Sequence, residues 1–586
     1  MDEFFLYGFD RATAMSNRLH GAARDRLARE QGACRKDWGG RIPIALVYPN
    51  VYSVAMANLG FLAVYGLLNR HPDVVCERAF FPDWEEREEL ARTGTRPFSL
   101  ETRKPLNAFE IIAFSLSYEN DYPNVAALLS MAGIPAERCH RSLDSPLLIA
   151  GGPAVFLNPE PMAGIIDVFV LGEAEDALDE VLDLYRKQRG LDQRESFICE
   201  VPSVHGVYVP ALYEPRYEED GSLAAFEPQK GAPEKVERRW IRDLDRCSTE
   251  STVFTPEAEL SGIHLVEVGR GCSRRCRFCS TGFIYRPVRY RGLEALKSSL
   301  EAGIAKGRRL GLVCASLGDY PDLDSLCQWL LERGGKLSAP SLRLDTLTDK
   351  LLEALRASGQ KTVTFAPEAG SERLRRILHK AFDDDQILSA ADRLAEGGIF
   401  NMRLYFMVGL PGEGDEDVEA IIDLTKRIRH RFLRVAKDTA RMGEITLSVN
   451  PFVPKPWSAF QWCAMAEEAL LNERLKRIRR SLQKEPNINV THGLAKWAYL
   501  QALFSRGDRR VLPFVLAGAS ADTDWRKVFR TTTLNPHFFV HRERRREELF
   551  PWDFIDHGIP KEALYKEYER RMSCSPGANP EESSYC

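Results

Sequence analysis

The chain has 586 residues, of which 44% are hydrophobic and 28% charged, and its formal net charge is −4. This length predicts two to four domains, and the composition excludes wholesale disorder. The balanced charge shows no global basicity that would indicate nucleic acid as a partner.

The first residues show no export or membrane signal. They read MDEFFLYGFDRATAMSN, with acids early and no long apolar core. No run of about 18 apolar residues follows anywhere, so we expect no membrane span. Thirteen cysteines in such a chain suit a reducing cytosol, where a tight cysteine group indicates metal binding or catalysis rather than disulfides. We therefore expect a cytoplasmic protein.

Residues 1–40 are predicted to form a charged, helical lead-in, and residues 41–190 an α/β domain. Apolar strands alternate there with helices, which predicts a doubly wound parallel sheet. Ligands of such sheets bind at the carboxyl ends of the strands. The predicted strands are 42–49, 74–80, 109–117, 147–152 and 165–172, and the predicted helices are 57–70, 124–133 and 175–188.

A polar connection, residues 191–262, is predicted to hold a β-hairpin around Asp220–Gly221 and then a linker. A second alternating series spans residues 263–485. Its six strand–helix units predict a partial barrel of parallel strands, with its active site at the strand carboxyl ends. The predicted strands are 263–269, 310–316, 341–345, 362–368, 401–409 and 445–452, and the helices are 293–306, 322–333, 348–358, 371–395, 415–432 and 465–484.

Residues 486–586 show weaker periodicity and are predicted to form a mainly helical C-terminal extension. Helices are expected at 496–507 and 511–518, and the last polar residues are expected to fray.

The stretch EVGRGCSRRCRFCSTGF, residues 267–283, places Cys272, Cys276 and Cys279 in a C-x3-C-x2-C pattern. Three thiolates from one loop can bind three irons of a 4Fe–4S cluster and leave the fourth iron without a protein ligand. Structural zinc sites need four ligands, and no second cysteine pair lies near. Phe278 can shield a cluster from water. Three buried cysteines or a zinc site remain the alternatives.

This cysteine pattern, with an aromatic residue before the last cysteine and a barrel around it, resembles the radical S-adenosylmethionine (SAM) superfamily. The resemblance covers residues 263 to about 460. It implies a 4Fe–4S cluster whose open iron chelates SAM, and reductive cleavage that yields a 5′-deoxyadenosyl radical. It also implies a flavodoxin- or ferredoxin-type electron donor. No catalytic residue beyond the cluster ligands is assigned.

The same resemblance suggests SAM-binding residues in three segments: SLGDYPD (316–322), FAPEAGSERL (365–374) and MVGLPGE (407–413). Each also has a simpler interpretation, since Glu368 could cap the helix that starts near Ser371, and Gly-x-Pro-Gly is a common turn. The expected SAM-binding residues are Gly318, Asp319, Glu368, Ser371, Arg373, Gly409, Pro411 and Gly412.

The N-terminal sheet resembles the cobalamin-binding domain of one branch of this superfamily. The Asp-x-His-x-x-Gly motif that supplies an axial histidine is missing from YPNVYSVAMANLG (48–60), so either cobalt binds without a histidine or the cofactor is lost. Small residues at these loops are also what tight turns require. End to end, the chain resembles an uncharacterised group of this branch, closing with PWDFIDHGIPKEALYKEY (551–568). The possible cobalamin-binding residues are Ser115, Ser117, Gly151, Gly152 and Gly172.

Other charged and metal-binding side chains fit simpler roles. Seven arginines flank the cysteines, and we expect most of them to balance the charge of the cluster and its cofactor rather than to bind an anionic substrate. Basic runs at 426–432, 474–480 and 541–548 are interpreted as solvated helix faces. His379 and His492 are expected to be ordinary residues, and Cys574 and Cys586 are insufficient for a second cluster.

The leading hypothesis is a cytoplasmic radical SAM enzyme acting on an unidentified substrate. The alternatives are a cobalamin-dependent methyltransferase, an RNA-modifying enzyme similar to methylthiotransferases, and a non-enzymatic iron–sulfur electron-transfer or scaffold protein. Deoxyadenosine formation, bound corrin and co-purified RNA distinguish them. The substrate, the reductant and the oligomeric state cannot be read from the sequence.

Overall fold

The computed structural model describes residues 16–189, 193–229, 231–339, 341–380, 382–439, 443–520 and 522–573. Within these ranges, no helix combines the length and apolar character that crossing a bilayer requires. Two α/β units are followed by a mainly helical region, and this confirms the predicted fold class.

The first unit is a six-stranded sheet covered by helices on both faces. Its strands are β1 (Ile42–Tyr48), β2 (Val74–Phe80), β3 (Ile111–Ser115), β4 (Leu147–Gly151), β5 (Val168–Val170) and β6 (Val207–Tyr208). Its helices are α1 (Asn17–Arg29), α2 (Tyr52–Ala55), α3 (Leu59–Arg70), α4 (Trp84–Thr93), α5 (Tyr122–Met131), α6 (Pro153–Leu157), α7 (Ala174–Lys187) and α8 (Gln193–Glu200).

The strand order is β2-β1-β3-β4-β5-β6, and only β6 runs antiparallel to its neighbour. Every residue of β1 is buried, as expected of a strand covered on both faces. The five predicted strands are confirmed. The sixth strand, β6, lies in the connection. It has only two residues, too few to show an alternating pattern in the sequence.

The connection contains β7 (Tyr213–Tyr217), β8 (Leu223–Pro228) and β9 (Val236–Glu237). β7 and β8 form the predicted hairpin, and Gly221 has the positive φ of 84° that its turn requires.

The second unit follows the cysteine-bearing segment. Its strands are β10 (Ile263–Glu267), β11 (Gly269–Arg270), β12 (Arg289–Tyr290), β13 (Arg309–Val313), β14 (Lys336–Ser338), β15 (Thr362–Glu368), β16 (Asn401–Val408), β17 (Ile445–Pro451) and β18 (Ile488–His492). Its helices are α9 (Thr281–Ile284), α10 (Leu293–Ala305), α11 (Leu323–Glu332), α12 (Asp349–Ala357), α13 (Glu372–Ile377), α14 (Asp384–Glu396), α15 (Asp415–Thr439) and α16 (Glu468–Leu482).

Parallel strands run in the orders β10-β13-β14 and β15-β16-β17-β18, and a parallel bridge from Leu342 to Phe365 connects the two sheets into a partial barrel. Three sequence predictions were wrong. The third strand lies at Lys336–Ser338 rather than at 341–345, the helix predicted at 371–395 is two helices, and β18 adds a seventh strand beyond 485.

The C-terminal region contains α17 (Ala495–Arg506), α18 (Leu512–Ala517), α19 (Trp525–Thr531), α20 (His537–Val540), β19 (Ile555–Asp556) and α21 (Lys561–Ser573). It is not an independent appendage, because its buried side chains share one continuous apolar core with the barrel and with one face of the N-terminal sheet. Phe504 and Trp552 are fully buried in this core. The three regions therefore pack as one body around the cysteine loop.

Candidate functional site

The three cysteines lie on the loop between β11 and α9. Gly271 opens the loop with φ 92°, and a Cβ there would lie 2.5 Å from the Tyr285 carbonyl oxygen, so only glycine fits. The Cys279 N–H donates to the Cys276 carbonyl oxygen at 3.0 Å. Cys272, Cys276 and Cys279 are all free thiols.

Arg277, between the second and third cysteines, anchors this loop to the barrel. Its backbone N–H donates to the Leu378 carbonyl at 3.0 Å, and its buried guanidinium donates to the Ile377 carbonyl at 3.0 Å. In turn the Phe460 N–H donates to the Arg277 carbonyl at 3.0 Å. The cysteine loop is thus fixed between the end of α13 and the segment after β17.

The three thiols are not grouped as closely as the ligands of one zinc ion would be. Thiolates on one zinc ion lie roughly 4 Å apart, because each Zn–S bond is about 2.3 Å long. The three cysteine sulfurs are not all within 4.8 Å of one another. Burial raises the pKa of Cys276 to about 11, and Lys380 opposes that shift. The donor set therefore fits an iron–sulfur cluster, whose binding displaces these protons.

Gly318 and Asp319 follow β13 beside the cysteine loop. A Cβ on Gly318 would lie 1.8 Å from the Thr346 hydroxyl, so glycine is required by packing. Asp319 accepts hydrogen bonds from Ser273 Oγ at 2.7 Å and from Arg274 Nε at 3.0 Å. Burial favours a higher pKa for Asp319, but these bonds outweigh it and lower the pKa to about 2. The Asp319 carboxylate thus holds the cysteine loop against the segment that follows β13.

Glu368 ends β15 in a left-handed conformation, with φ 69° and a register shift towards β16. Its carboxylate lies 3.3 Å from Lys380 Nζ, which also donates to the Ala366 carbonyl at 2.9 Å. Burial raises the pKa of Glu368, while Lys380 and then Arg343 oppose the shift. The sequence analysis missed Lys380 and Arg343, whose positive charges also favour thiolate at Cys276.

Ser371 and Arg373 are brought together by Asp417, a buried carboxylate at the start of α15. Ser371 caps α13 by accepting from the Leu374 N–H at 3.1 Å, and its hydroxyl donates to Asp417. The Arg373 guanidinium donates to Asp417 and, at 2.9 Å, to the Gly412 carbonyl. These side chains connect the loops after β15 and β16, where the sequence analysis expected direct contacts to SAM.

The loop after β16 contains the other predicted positions. Gly409 has φ 81°, and its N–H donates to the Glu413 carboxylate at 2.5 Å. Gly412 also has a positive φ, of 77°, and is exposed, whereas Pro411 is half-buried. The loop backbone is therefore accessible at Gly412, at the same end of the barrel as Glu368.

The arginines around the cysteines bind carboxylates of the chain itself. Arg289 lies 2.6 Å and Arg270 3.0 Å from the buried Glu173, and Arg291 lies 2.7 Å from Glu267. Glu173 follows β5 of the N-terminal sheet, so the Arg289 and Arg270 pairs join the two α/β units, whereas Arg291 and Glu267 pair within the second unit. For Arg270 and Arg289, the expected role in balancing cluster charge is corrected to an interdomain one.

The loops expected to cradle a corrin contact the chain's own backbone. A Cβ on Gly152 would lie 2.5 Å from the Leu116 carbonyl, and one on Gly172 would lie 2.1 Å from the Arg239 carbonyl. Both glycines have positive φ. Packing within the chain accounts for them, so they do not indicate a ligand.

The remaining predicted corrin positions lie beside them. Gly151 ends β4, with its carbonyl accepting from the Leu116 N–H at 2.8 Å, and Ser115 ends β3. The Ser117 hydroxyl lies 3.4 Å from the Asn58 amide nitrogen. The next residues are bound by the barrel and by the C-terminal region, since Glu119 contacts Lys455 at 2.5 Å and Gln501 at 3.1 Å.

His379 and His492 do not form a metal site among the described residues. His379 follows α13 with φ 59° and its ring contacts the Arg275 carbonyl, while His492 ends β18. Cys574 and Cys586 lie outside the described residues.

Two family models match the sequence. The model described as "Radical SAM proteins, N-terminal" matches residues 60–210, and the "Radical SAM superfamily" model matches residues 266–425. The second match includes all three cysteines and every residue predicted to contact SAM.

Curated relatives and solved structures show similarity over much of the chain. The uncharacterized protein MJ0966 of Methanocaldococcus jannaschii is 30% identical over 479 residues, which are 80% of this chain and 90% of that protein. The ribosomal protein uS12 methylthiotransferase RimO of Pseudothermotoga lettingae is 24% identical over 341 residues, which are 54% of this chain and 77% of that protein. The structure of TsrM from Kitasatospora setae, a radical SAM methyltransferase, is similar with a TM-score of 0.45 and 13% sequence identity. The match covers 69% of this chain and 72% of that chain, and we infer nothing about function from it.

Proposed function

Since the chain belongs to the radical SAM superfamily and is an enzyme of that class, we propose that Cys272, Cys276 and Cys279 hold a 4Fe–4S cluster with one iron open to SAM. When bound, this cluster supplies the electron that cleaves the sulfonium and generates a 5′-deoxyadenosyl radical. The substrate that donates the hydrogen atom is not identified.

The residues around the thiols have three separate tasks in this proposal. Arg277 and Asp319 fix the cysteine loop against the barrel, so that the three thiols would hold a cluster at the carboxyl ends of the strands. Lys380 and Glu368 place a paired charge beside Cys276, where a zwitterionic methionine moiety could bind. The exposed backbone at Gly412 could receive the adenine.

One observation carries the proposal, namely three free thiols on one loop that Arg277 anchors to the barrel. The test is a Cys276→Ala variant, reconstituted anaerobically with iron and sulfide. It should lose the brown chromophore and form no 5′-deoxyadenosine with dithionite. Cys327→Ala is the matched control, because Cys327 is a buried free thiol on α11, outside the cysteine loop. A Cys276→Ala protein that kept both properties would refute the assignment.

A cobalamin-dependent reaction fits these residues less well. A Cβ on either Gly152 or Gly172 would meet backbone of the chain itself, which leaves these glycines no separate role towards a corrin. We therefore derive no step through cobalamin.

RNA modification, the alternative raised by the sequence, also lacks support from the basic runs. Arg429 lies 3.3 Å from Glu485, Arg477 lies 3.2 Å from Asp415, and Arg542 lies 2.6 Å from Glu548. These three arginines are paired with carboxylates of the chain, whereas phosphate binding needs accessible arginines and lysines. We favour a cytoplasmic enzyme acting on a small molecule, reduced by a flavodoxin- or ferredoxin-type donor.

A further inference from the structure

Residues 551–560, which we call the closing segment, contact the N-terminal unit, the connection and the barrel next to the cysteine loop. Trp552 is fully buried, and its Nε1–H donates to Gln461 Oε1 at 2.9 Å. β19 then pairs with β9 of the connection. The next residue, His557, bonds through Nε2 to the Phe156 carbonyl of the N-terminal unit at 3.0 Å.

His557 presents an unused acceptor in a buried position. A carbonyl oxygen only accepts, so Nε2 carries the proton and Nδ1 has a free lone pair. Only 2% of the residue is exposed, and Nδ1 makes no hydrogen bond within the described part of the chain. Burial lowers the pKa of His557 to about 3, with Arg238 contributing, so the ring stays neutral at physiological pH.

Two residues near His557, namely Trp457 and Arg238, also have N–H groups that donate no hydrogen bond to any described residue. The Trp457 ring lies edge-on to His557, with centroids 4.7 Å apart, and its Nε1–H makes no hydrogen bond to any described residue. Nε and one terminal nitrogen of Arg238 likewise lack hydrogen bonds there, although that terminal nitrogen lies 3.8 Å from the Glu173 carboxylate. Both residues are 4% exposed. Leaving a buried polar group without a partner destabilises the fold, and proteins rarely bury three such groups together.

The backbone at Trp457 is held in an unfavourable conformation. Its φ is 59°, in the left-handed region that bulky side chains rarely adopt. Gln461 Oε1 holds this conformation by accepting from the Trp457 N–H at 3.0 Å, and the same oxygen accepts from Trp552. The closing segment therefore fixes the direction of the Trp457 indole.

This group of residues lies beside the cysteine loop. Arg238 donates to the Arg286 carbonyl at 2.6 Å, and Arg286 follows α9, the helix that begins directly after the cysteines. Phe460, three residues after Trp457, is bonded to Arg277 of the loop itself. A ligand that used all three groups would be adjacent to the site where the radical forms.

We propose that His557, Trp457 and Arg238 form the substrate-recognition site of this enzyme, and that the substrate is a small molecule with an oxyanion next to an O–H or N–H donor. This inference rests on the proposed function and extends it to the substrate class. Arg238 and Trp457 Nε1–H donate to the oxyanion, and the neighbouring donor bonds to His557 Nδ1. The C-terminal region is thereby part of the active site.

The test measures how small molecules change deoxyadenosine formation by the reconstituted holoenzyme with dithionite. The probe is the low-molecular-weight fraction of a cell extract, separated on an anion exchanger into retained and unretained pools. The readout for each protein is its rate with a pool divided by its own rate without one. The retained pool should raise this ratio at least about threefold for the wild type, roughly the effect of one hydrogen bond.

Trp457→Phe is the decisive variant, because it keeps an aromatic ring but removes the indole N–H, which makes no hydrogen bond to any described residue. The smaller ring should lower the melting temperature of the ligand-free protein somewhat, and the stimulation ratio, which each protein sets against its own basal rate, should fall by at least half. His557→Ala should abolish the stimulation, and His557→Gln, which keeps an acceptor oxygen, should restore part of it. His430→Ala, on an exposed face of α15, should respond as the wild type does.

Stimulation confined to the unretained pool, no stimulation by either pool, or variants that respond as the wild type does would each overturn this inference. In all three cases the wild type still cleaves SAM with dithionite alone. If it does not, the proposed function itself fails, and the two failures are therefore distinct.

Discussion

Lys380 Nζ lies 3.3 Å from the Glu368 carboxylate at the carboxyl end of β15, where Lys380 is buried, the Glu368 side chain is 14% exposed, and the lysine favours thiolate at Cys276. Glu368 adopts a left-handed backbone conformation, and Lys380 comes from the break between α13 and α14. Two irregular backbone features thus position one ion pair beside Cys276.

Lys380→Met should destabilise the protein by about 3 kcal/mol or more, because it leaves a buried carboxylate without its partner. The double variant Lys380→Met/Glu368→Gln should recover most of that loss. Chemical denaturation of the cluster-free protein measures both. Lys350→Met, which breaks an exposed 3.0 Å pair with Glu353, is the control and should change stability by less than about 0.5 kcal/mol. Equal effects of the two single variants would contradict a buried pair.

Gly318→Ala should destabilise the loop after β13 by about 1–3 kcal/mol, because its Cβ would lie 1.8 Å from the Thr346 hydroxyl. Adding Thr346→Gly removes the obstructing atoms and should restore part of the loss. Gly39→Ala meets no atom within 4 Å and serves as the control in thermal denaturation. An unchanged melting temperature for Gly318→Ala would show that Thr346 does not fill this space.

The corrin prediction can be tested directly on the purified protein. Production with added cobalamin, followed by anaerobic purification, should yield the iron–sulfur absorption without corrin bands, because the loops at Gly152 and Gly172 pack against the chain itself. Stoichiometric corrin that survives gel filtration would contradict this packing.

Stability should depend on pH through His557. Its pKa is about 3 in the folded protein and about 6.5 when unfolded, so its contribution is complete above pH 6.5 and is lost as pH falls towards 3. Relative to His557→Gln, the wild type should lose roughly 3 kcal/mol between pH 7 and pH 4. Parallel denaturation curves of the two proteins would mean that the ring is not buried.

The regular elements could be predicted because their residues alternate strongly. The strand at 362–368 was predicted with the bounds observed, since TVTFAPE is apolar and is followed by a capped helix. The strand Lys336–Ser338 was missed because three residues with one apolar side chain carry no period. The break after α13 was missed because the left-handed backbone at His379 has no glycine to indicate it.

The cysteines could be predicted because their ligand spacing is local. Lys380 and His557 could not, since they are 104 and 281 positions from Cys276 and only tertiary packing brings them to the same region. Their role depends on burial and on unpaired atoms, which the sequence does not display.

The central claim is that the chain ligates three irons and leaves the fourth to SAM. The direct measurement is electron–nuclear double resonance on the one-electron-reduced cluster with SAM labelled with ¹⁵N and ¹⁷O in its methionine moiety. We predict hyperfine couplings from both labels, and their loss when unlabelled SAM is substituted. A reduced cluster whose spectrum is unchanged by added SAM and shows neither coupling would contradict the account.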